Sequence, residues 1–186
     1  MTIKTVTILF ARADSIYKTL DHCDVYDQAR DALTWQGSTP IVAHPPCRAW
    51  GALANFARPL PGERELAPWA IEQIRLHGGV LEHPAASKLW KELSLPHPGA
   101  TDKFGGWTLG IHQSDFGHRA EKKTLLYIVG CNPAAVPPIP HPMHYPSHVI
   151  ATSRMKRHRP EVTKAEREAT PEALAQWLVT VARACD

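Results

Sequence analysis

Short runs with the composition of β-strands alternate with helix-like and loop-like segments along most of the chain. The first run is apolar and rich in β-branched residues, which is typical of a buried strand, and the apolar stretch 123–130 predicts a central strand. Six strands are expected in all, at 6–11, 23–27, 40–43, 80–84, 107–113 and 124–129.

Helix-like segments separate most of these strands. Apolar residues recur through 64–76 at the spacing of an amphipathic helix, which we expect to stop at Gly78-Gly79. Thr170 as the cap and Pro171 at the first position predict a final helix. Its apolar face would be formed by Leu174, Trp177, Leu178, Val181 and Ala182. Shorter or more polar helices are expected at 14–20, 30–35, 86–93 and 163–168.

Strands that alternate with helices predict the α/β class. We expect one domain over 1–186, a Rossmann-like three-layer sandwich with a mostly parallel sheet. Proline and histidine are frequent in 131–162, and this segment is expected to be an irregular loop.

Composition adds limits to this fold. A chain of 186 residues favours one domain, and 44% hydrophobic with 21% charged residues is ordinary for a soluble globular protein. The formal charge of +3 is compatible with a phosphate-bearing partner without requiring one. We find no signal-peptide pattern and no run of membrane-spanning length, so we expect a cytoplasmic protein whose four cysteines are reduced.

Polar stretches follow three of the predicted strands: Arg12–Ser15, His44–Arg48 and Glu82–His83. In open α/β sheets, ligands bind beyond the carboxyl ends of the strands. Cys47 lies in the second stretch, after two prolines that stiffen the loop. It could attack an electrophile as a thiolate if Arg48, His44 or Arg119 lowered its pKa, or it could be a structural cysteine in a stiff turn.

Two other groups bear on this choice. Glu82 leaves an apolar strand, which is costly for a carboxylate unless it is paired or functional. It could donate to a ring nitrogen of a heterocycle, cap a helix, or pair with Arg119. The basic turn 118–123 contains Arg119 and Lys122, which could hold a phosphate or a base edge, or could simply be solvated.

Together these stretches resemble the cytosine-C5 DNA methyltransferase family. Pro46-Cys47 matches its Pro-Cys, and 82–84 matches its Glu-Asn-Val at the glutamate. The segment 118–123, followed by 127–130, is similar to its Gln-x-Arg-x-Arg before Val-Gly. Residues 170–175 are similar to its closing Val-Pro-Pro-x-Leu-Ala, and all four elements occur in the family's order. The chain also resembles short proteins encoded in bacterial phages and prophages.

The resemblance implies a transferase that modifies a cytosine. Cys47 would add to C6 of the pyrimidine, Glu82 would assist at the ring nitrogen, and Arg119 would orient the base or hold a phosphate. The neighbouring residues that would contact the substrate are Pro46, Arg48, Trp50, His83 and Lys122.

The resemblance also implies S-adenosylmethionine as cofactor. Its contacts would be Phe10, Arg12, Asp14, Asp27 and Asp31. However, the family's Phe-x-Gly-x-Gly is here Phe-Ala-Arg-Ala-Asp at 10–14, and side chains would crowd the approach that the glycines allow. Residues 131–160 leave little room for a target-recognition domain. The expected partner is therefore a free nucleotide, single-stranded DNA, or DNA presented by another protein.

Two other functions remain open. The fold could have kept a nucleotide-shaped pocket and serve as a non-catalytic binding module for a nucleotide or nucleic acid. A zinc-stabilised binding protein is the other alternative, with Cys131, His141, His144 and His148 as ligands.

Overall fold

A single six-stranded sheet forms the centre of the protein, with the strand order β2-β1-β3-β4-β6-β5. The computed structural model describes residues 3–51, 54–141, 145–150 and 159–185. The strands are β1 (Val6–Leu9), β2 (Cys23–Val25), β3 (Ile41–Ala43), β4 (Gly79–Pro84), β5 (Trp107–His112) and β6 (Lys123–Val129).

The sheet is mostly parallel, as the sequence predicts. β2, β1, β3 and β4 are parallel neighbours, whereas β6 runs antiparallel to both β4 and β5. The antiparallel pairing was not expected from the sequence. It follows from the short connection at 113–122, because a parallel crossover needs about a dozen or more residues.

The helices pack on both faces of the sheet. They are α1 (Ala54–Ala57), α2 (Leu66–His77), α3 (Leu89–Glu92), α4 (Lys164–Glu168) and α5 (Glu172–Arg183). α2 contacts β3, β4 and β6 on one face, and α5 contacts β1, β3 and β4 on the other. Within the described part of the chain, no helix combines the length and apolar character needed to cross a membrane.

Burial of apolar residues explains the two long helices. All five residues predicted for the apolar face of α5 are buried. The helix begins one residue later than predicted: Pro171 rather than Thr170 is the capping residue, and its carbonyl accepts the N–H of Ala175. α2 ends at Gly78, as predicted. The next residue has to be glycine, because a Cβ on Gly79 would lie 2.1 Å from the carbonyl oxygen of Ile41 in β3.

Several predicted elements are shorter in the structure. The expected helices at 14–20 and 30–35 are 3₁₀ turns at Ile16–Thr19 and Ala32–Thr34, and the one at 86–93 is reduced to α3. In the segment 131–162, the described residues contain a 3₁₀ turn at Pro133–Ala135 and isolated bridges, which agrees with the expected irregular loop.

Side chains alternate between the two faces of β3 and β4. Val42 and Val80 belong to the core under α5, whereas Ile41 and Leu81 belong to the core under α2. Because this alternation has a period of two, the next polar side chain of β4, Glu82, lies on the α5 face.

Replacing Leu178 in α5 tests this packing. Leu178 is fully buried, so Leu178→Ala should lower the free energy of unfolding by about 3 kcal/mol through lost burial and the cavity left behind. Gln176→Ala, on the exposed face of the same helix, should change it by less than about 0.5 kcal/mol. Urea denaturation measures both, and equal effects would contradict the assigned packing.

Candidate active site

The three polar stretches lie at one edge of the sheet. Arg12–Ser15 and His44–Arg48 follow the carboxyl ends of β1 and β3, and Glu82–His83 lies in the last part of β4. The chain connects β1 to β2 on one side and places β3 on the other side of β1. Ligands of α/β sheets bind at such a reversal of strand order. A cavity of about 240 Å³ lies there, lined by residues 10–12 and 14–17, by His44, and by residues 168–170.

A chain of hydrogen bonds crosses the floor of this site. The Tyr17 hydroxyl is 2.9 Å from Nε2 of His44, whose Nδ1 is 3.1 Å from Oε2 of Glu82. The other carboxylate oxygen, Oε1, accepts from Nε2 of Gln113 at 2.9 Å. The same Gln113 nitrogen also donates to Oγ1 of Thr124 at 3.1 Å. The two partners of this carboxylate thus come from residues that directly follow two other strands, His44 after β3 and Gln113 after β5.

The protonation states of the side chains in this hydrogen-bond network follow from their surroundings. Burial alone would raise the pKa of Glu82, but the hydrogen bond and charge of His44, with the charge of Lys122, lower it to about 2. Burial holds the pKa of Tyr17 well above its usual value. Glu82 is thus ionised at neutral pH, and its Oε2 accepts a hydrogen bond from Nδ1–H of His44.

Glu82 lies inside β4, not at its end. It is opposite Leu126 of β6, and the strand continues to Pro84. The expected pairing of Glu82 with Arg119 is replaced by the bonds to His44 and Gln113. A buried carboxylate is stable only when hydrogen-bond donors reach its oxygens, and these two side chains supply the donors.

Cys47 is exposed and directly follows the two prolines after β3. Desolvation of its sulfur raises the pKa of the Cys47 thiol, the charge of Glu82 raises it further, and the charge of Lys122 opposes both. At neutral pH the thiol therefore keeps its proton. The nearby cation expected from the sequence is Lys122 rather than Arg48 or Arg119.

Arg48 and Arg119 are both held by other carboxylates. Nε and Nη2 of Arg48 donate to Glu63 at 2.9 and 2.6 Å. Arg119 forms a two-pronged contact with Glu166, with Nε 2.8 Å from Oε1, and its Nη1 is 3.3 Å from His148. Neither guanidinium forms a hydrogen bond with Cys47 or Glu82 among the described residues, so the direct roles predicted for them stay predictions.

The other residues expected to contact a substrate differ in accessibility. Pro46 is half-buried. Trp50 is buried under the loop, with the Arg64 guanidinium 4.1 Å from its ring centroid, which corresponds to packing rather than to an exposed stacking surface. His83 is fully buried next to Trp90, on the opposite face of β4 from Glu82. Lys122 is half-buried and donates to the carbonyl of Arg167 at 2.9 Å.

The loop after β1 has a strained start. Phe10 has a φ of 62°, a left-handed conformation that costs a non-glycine residue about 1–3 kcal/mol. Its ring packs edge-on against Trp69. Arg12 binds Asp14 at 2.8 and 2.9 Å and Glu168 at 3.3 Å, so two carboxylates balance its charge.

The two acidic residues after β2 are occupied locally. Oδ1 of Asp27 accepts the backbone N–H groups of Ala29 and Arg30 at 2.9 and 3.0 Å, and Oδ2 accepts from Lys18. Asp31 caps the 3₁₀ turn through the N–H of Leu33.

These residues, as arranged, do not fit S-adenosylmethionine. The cavity of about 240 Å³ is smaller than the roughly 300–1,000 Å³ of sites for ligands of drug-like size. Asp27 and Asp31, two of the expected cofactor contacts, already have partners, and no glycine opens the loop after Phe10. The charge of Arg12, another expected contact, is offset by Asp14 and Glu168.

Two members of the site were missed from the sequence. Gln113 directly follows β5, whose carboxyl end lies at the same edge as those of β1, β3 and β4, because both β4 and β5 are antiparallel to β6. A polar residue directly after a strand was the available signal. Tyr17 lies in a 3₁₀ turn, and nothing in its sequence context distinguishes it.

The zinc hypothesis involves residues that are only partly described. His144 lies outside the described residues. Among 3–51, 54–141, 145–150 and 159–185, no three histidine, cysteine or acidic side chains form a group that could hold a metal ion.

Comparison with protein-family models, curated proteins and solved structures finds no match to this chain.

The buried His83 gives a testable pH dependence. Burial lowers its pKa from 6.5 to about 4, and both ring nitrogens have no hydrogen-bond partner among the described residues. Between these pH values the unfolded chain binds a proton that the folded protein excludes, so stability falls as the pH falls. From pH 6.5 to 4.5 the loss should be about 2 kcal/mol.

His83→Leu removes the titrating group and should remove this loss. Urea denaturation at pH 6.5, 5.5 and 4.5 compares the two proteins, with His97→Leu on the exposed surface loop as the control. An equally steep decline in His83→Leu would mean that other groups cause it.

Proposed function

We propose that this protein is a pyrimidine-modifying enzyme, with cytosine as the base, and that Cys47 adds to C6 of the ring. The proposal includes a Rossmann-like single domain of the cytosine-C5 methyltransferase type. The observation that carries it is that an exposed cysteine after β3 is near enough to an ionised, buried glutamate of the neighbouring strand β4 for the carboxylate charge to raise the pKa of its thiol. A structural cysteine would not need that carboxylate.

The addition step can be written without a second reactant. The sulfur of Cys47 forms a bond to C6, the C5=C6 double bond breaks, and a proton is delivered to C5. Reversal of the step removes a proton from C5 and releases the thiol. Because the pKa of Cys47 is raised, the thiol brings the proton that the addition requires.

Glu82 would recognise the base as an acceptor. The sequence suggested that it donates a proton to a ring nitrogen, but a carboxyl group with a pKa of about 2 is ionised at neutral pH. Its two oxygens have about four acceptor sites, of which His44 and Gln113 use two. The exocyclic amino group of cytosine is a donor that suits a remaining site.

The group transferred to C5 is left out of this proposal, since the residues present do not fit S-adenosylmethionine. The base would come from a nucleotide, from single-stranded DNA, or from DNA presented by another protein.

Exchange at C5 tests the addition step without any cofactor. In D₂O, the wild-type protein should replace the C5 hydrogen of dCMP or of a cytosine-containing oligonucleotide, seen as loss of its proton NMR signal. Cys47→Ala should reduce the exchange to the uncatalysed rate, because no other group forms the bond to C6. Glu82→Gln should slow it by about a hundredfold.

Cys23→Ala is the matched control, because Cys23 is partly buried in β2, away from the crevice. Its exchange rate should equal that of the wild type. Exchange that survives in Cys47→Ala would refute the role of Cys47.

The acceptor role of Glu82 predicts a preference between bases. dUMP has a carbonyl oxygen where dCMP has the amino group, and an ionised carboxylate repels it. Exchange with dUMP should be about ten- to a hundredfold slower than with dCMP. In Glu82→Gln, whose amide can donate, the ratio should fall towards one, and an unchanged ratio would show that Glu82 does not contact this position.

A non-catalytic binding module is the second candidate. The raised pKa of Cys47 and the occupied guanidinium groups favour it, because the site in this state has no activated nucleophile. Binding of dCMP or oligonucleotide without C5 exchange would support this candidate over the enzyme.

A further inference from the structure

The short helix α4 lies at the mouth of the site and is held by polar contacts. The structure describes all of its residues, and none of them is buried. The chain before it is fixed by Val162, which is 4% exposed, and its last residue, Glu168, lines the cavity together with the next two residues, Ala169 and Thr170. A helix of five residues without a buried face gains little stability from its own hydrogen bonds. Its position therefore depends on its partners.

Those partners are three cationic side chains from two separate parts of the chain and the ring of His118, whose Nε2 is 3.4 Å from the carbonyl oxygen of Glu166. Arg12, after β1, contacts Oε2 of Glu168 at 3.3 Å and the carbonyl of Ala165 at 3.5 Å. Arg119, before β6, donates through Nε and Nη2 to the two carboxylate oxygens of Glu166. In addition, Lys122 donates to the carbonyl of Arg167 at 2.9 Å.

These contacts have the geometry of anion binding. A guanidinium that meets two oxygens in parallel is the arrangement by which arginine holds carboxylates and phosphates alike. Other charges nearby are Asp14 on Arg12, His148 on Arg119, and Lys164, which is 3.9 Å from Glu168. Even so, Arg119 faces one carboxylate, and that carboxylate belongs to α4.

We propose that Glu166 and Glu168 form a displaceable anionic cover, which occupies the places where the phosphate of the ligand binds. The phosphate of a pyrimidine compound replaces these carboxylates as the partner of Arg119 and Arg12. Released from both arginines, α4 moves aside. The inference rests on the proposed pyrimidine site and adds where the phosphate of its ligand binds and which carboxylates it displaces. Exchange of partners is feasible because these ion pairs are at least partly exposed, and such pairs contribute little to stability.

Binding measurements separate the phosphate from the base. Isothermal titration calorimetry at low ionic strength would use three probes: deoxycytidine, dCMP, and a single-stranded oligonucleotide with one cytosine. The proteins are wild type, Glu166→Gln, Glu168→Gln and the control Glu92→Gln. Glu92, on α3, pairs with Arg64 in a partly exposed ion pair away from α4, and its replacement changes the net charge by the same amount.

Loss of either cover carboxylate should tighten binding of a phosphate-bearing probe about two- to fivefold and leave deoxycytidine unchanged. A gain with dCMP shows that the phosphate of a free nucleotide suffices, whereas a gain with the oligonucleotide alone assigns the site to a nucleic-acid backbone. Arg119→Gln should weaken the same probe. Arg119→Lys keeps the positive charge but loses the planar pair of N–H donors, so it should weaken binding of this probe by a smaller factor.

The inference is overturned if Glu166→Gln and Glu168→Gln bind phosphate-bearing probes no tighter than Glu92→Gln, if deoxycytidine gains as much, or if none of the probes binds. C5 exchange by the wild type is scored separately. If the wild type catalyses C5 exchange but the two variants bind phosphate-bearing probes with unchanged affinity, the cover is refuted and the proposed enzyme is retained. If the variants bind these probes more tightly but the wild type catalyses no exchange, the cover is retained and the proposed enzyme is refuted.

Discussion

A buried negative charge on Glu82 is the constraint on which the site depends. A carboxylate inside a sheet is stable only if donors reach both of its oxygens, and here they come from His44 after β3 and Gln113 after β5. Gln113 can reach Glu82 only because β5 and β4 both run antiparallel to β6. The antiparallel strand pair is therefore part of the site as well as of the fold.

The same charge determines the state of its neighbours. Glu82 accepts from Nδ1 of His44, and the other ring nitrogen of His44, Nε2, is 2.9 Å from the hydroxyl of Tyr17. It also raises the pKa of Cys47, so the reactive group of the proposed chemistry is held as a thiol. The basic residues nearby are likewise neutralised, Arg12 by Asp14 and Glu168, and Arg119 by Glu166. Both arginines at the site thus have carboxylate partners within the protein.

The sequence predicted the strands and the long helices well, because apolar periodicity depends on local spacing. It also placed Cys47 and Glu82 at the correct edge of the sheet, since parallel strands bring their carboxyl ends together. It could not predict the partners. That Glu82 binds Gln113, and Arg119 binds Glu166, depends on the antiparallel register and on the path of a distant segment. In the sequence, Glu82 and Arg119 each had several possible polar or charged partners. Only the tertiary structure determines which of these partners lies within hydrogen-bond distance.

The charge of Glu82 also bears on when Cys47 can react. This charge opposes formation of the thiolate. If the amino group of a cytosine donates to Glu82, the ligand offsets part of that charge, and the charge of Lys122, which favours the thiolate, then has the larger influence on the sulfur. Recognition of the base would then lower the pKa of the nucleophile. A thiol that is unreactive until its substrate binds is also protected from oxidation and from reaction with other electrophiles, which is an advantage for an exposed cysteine.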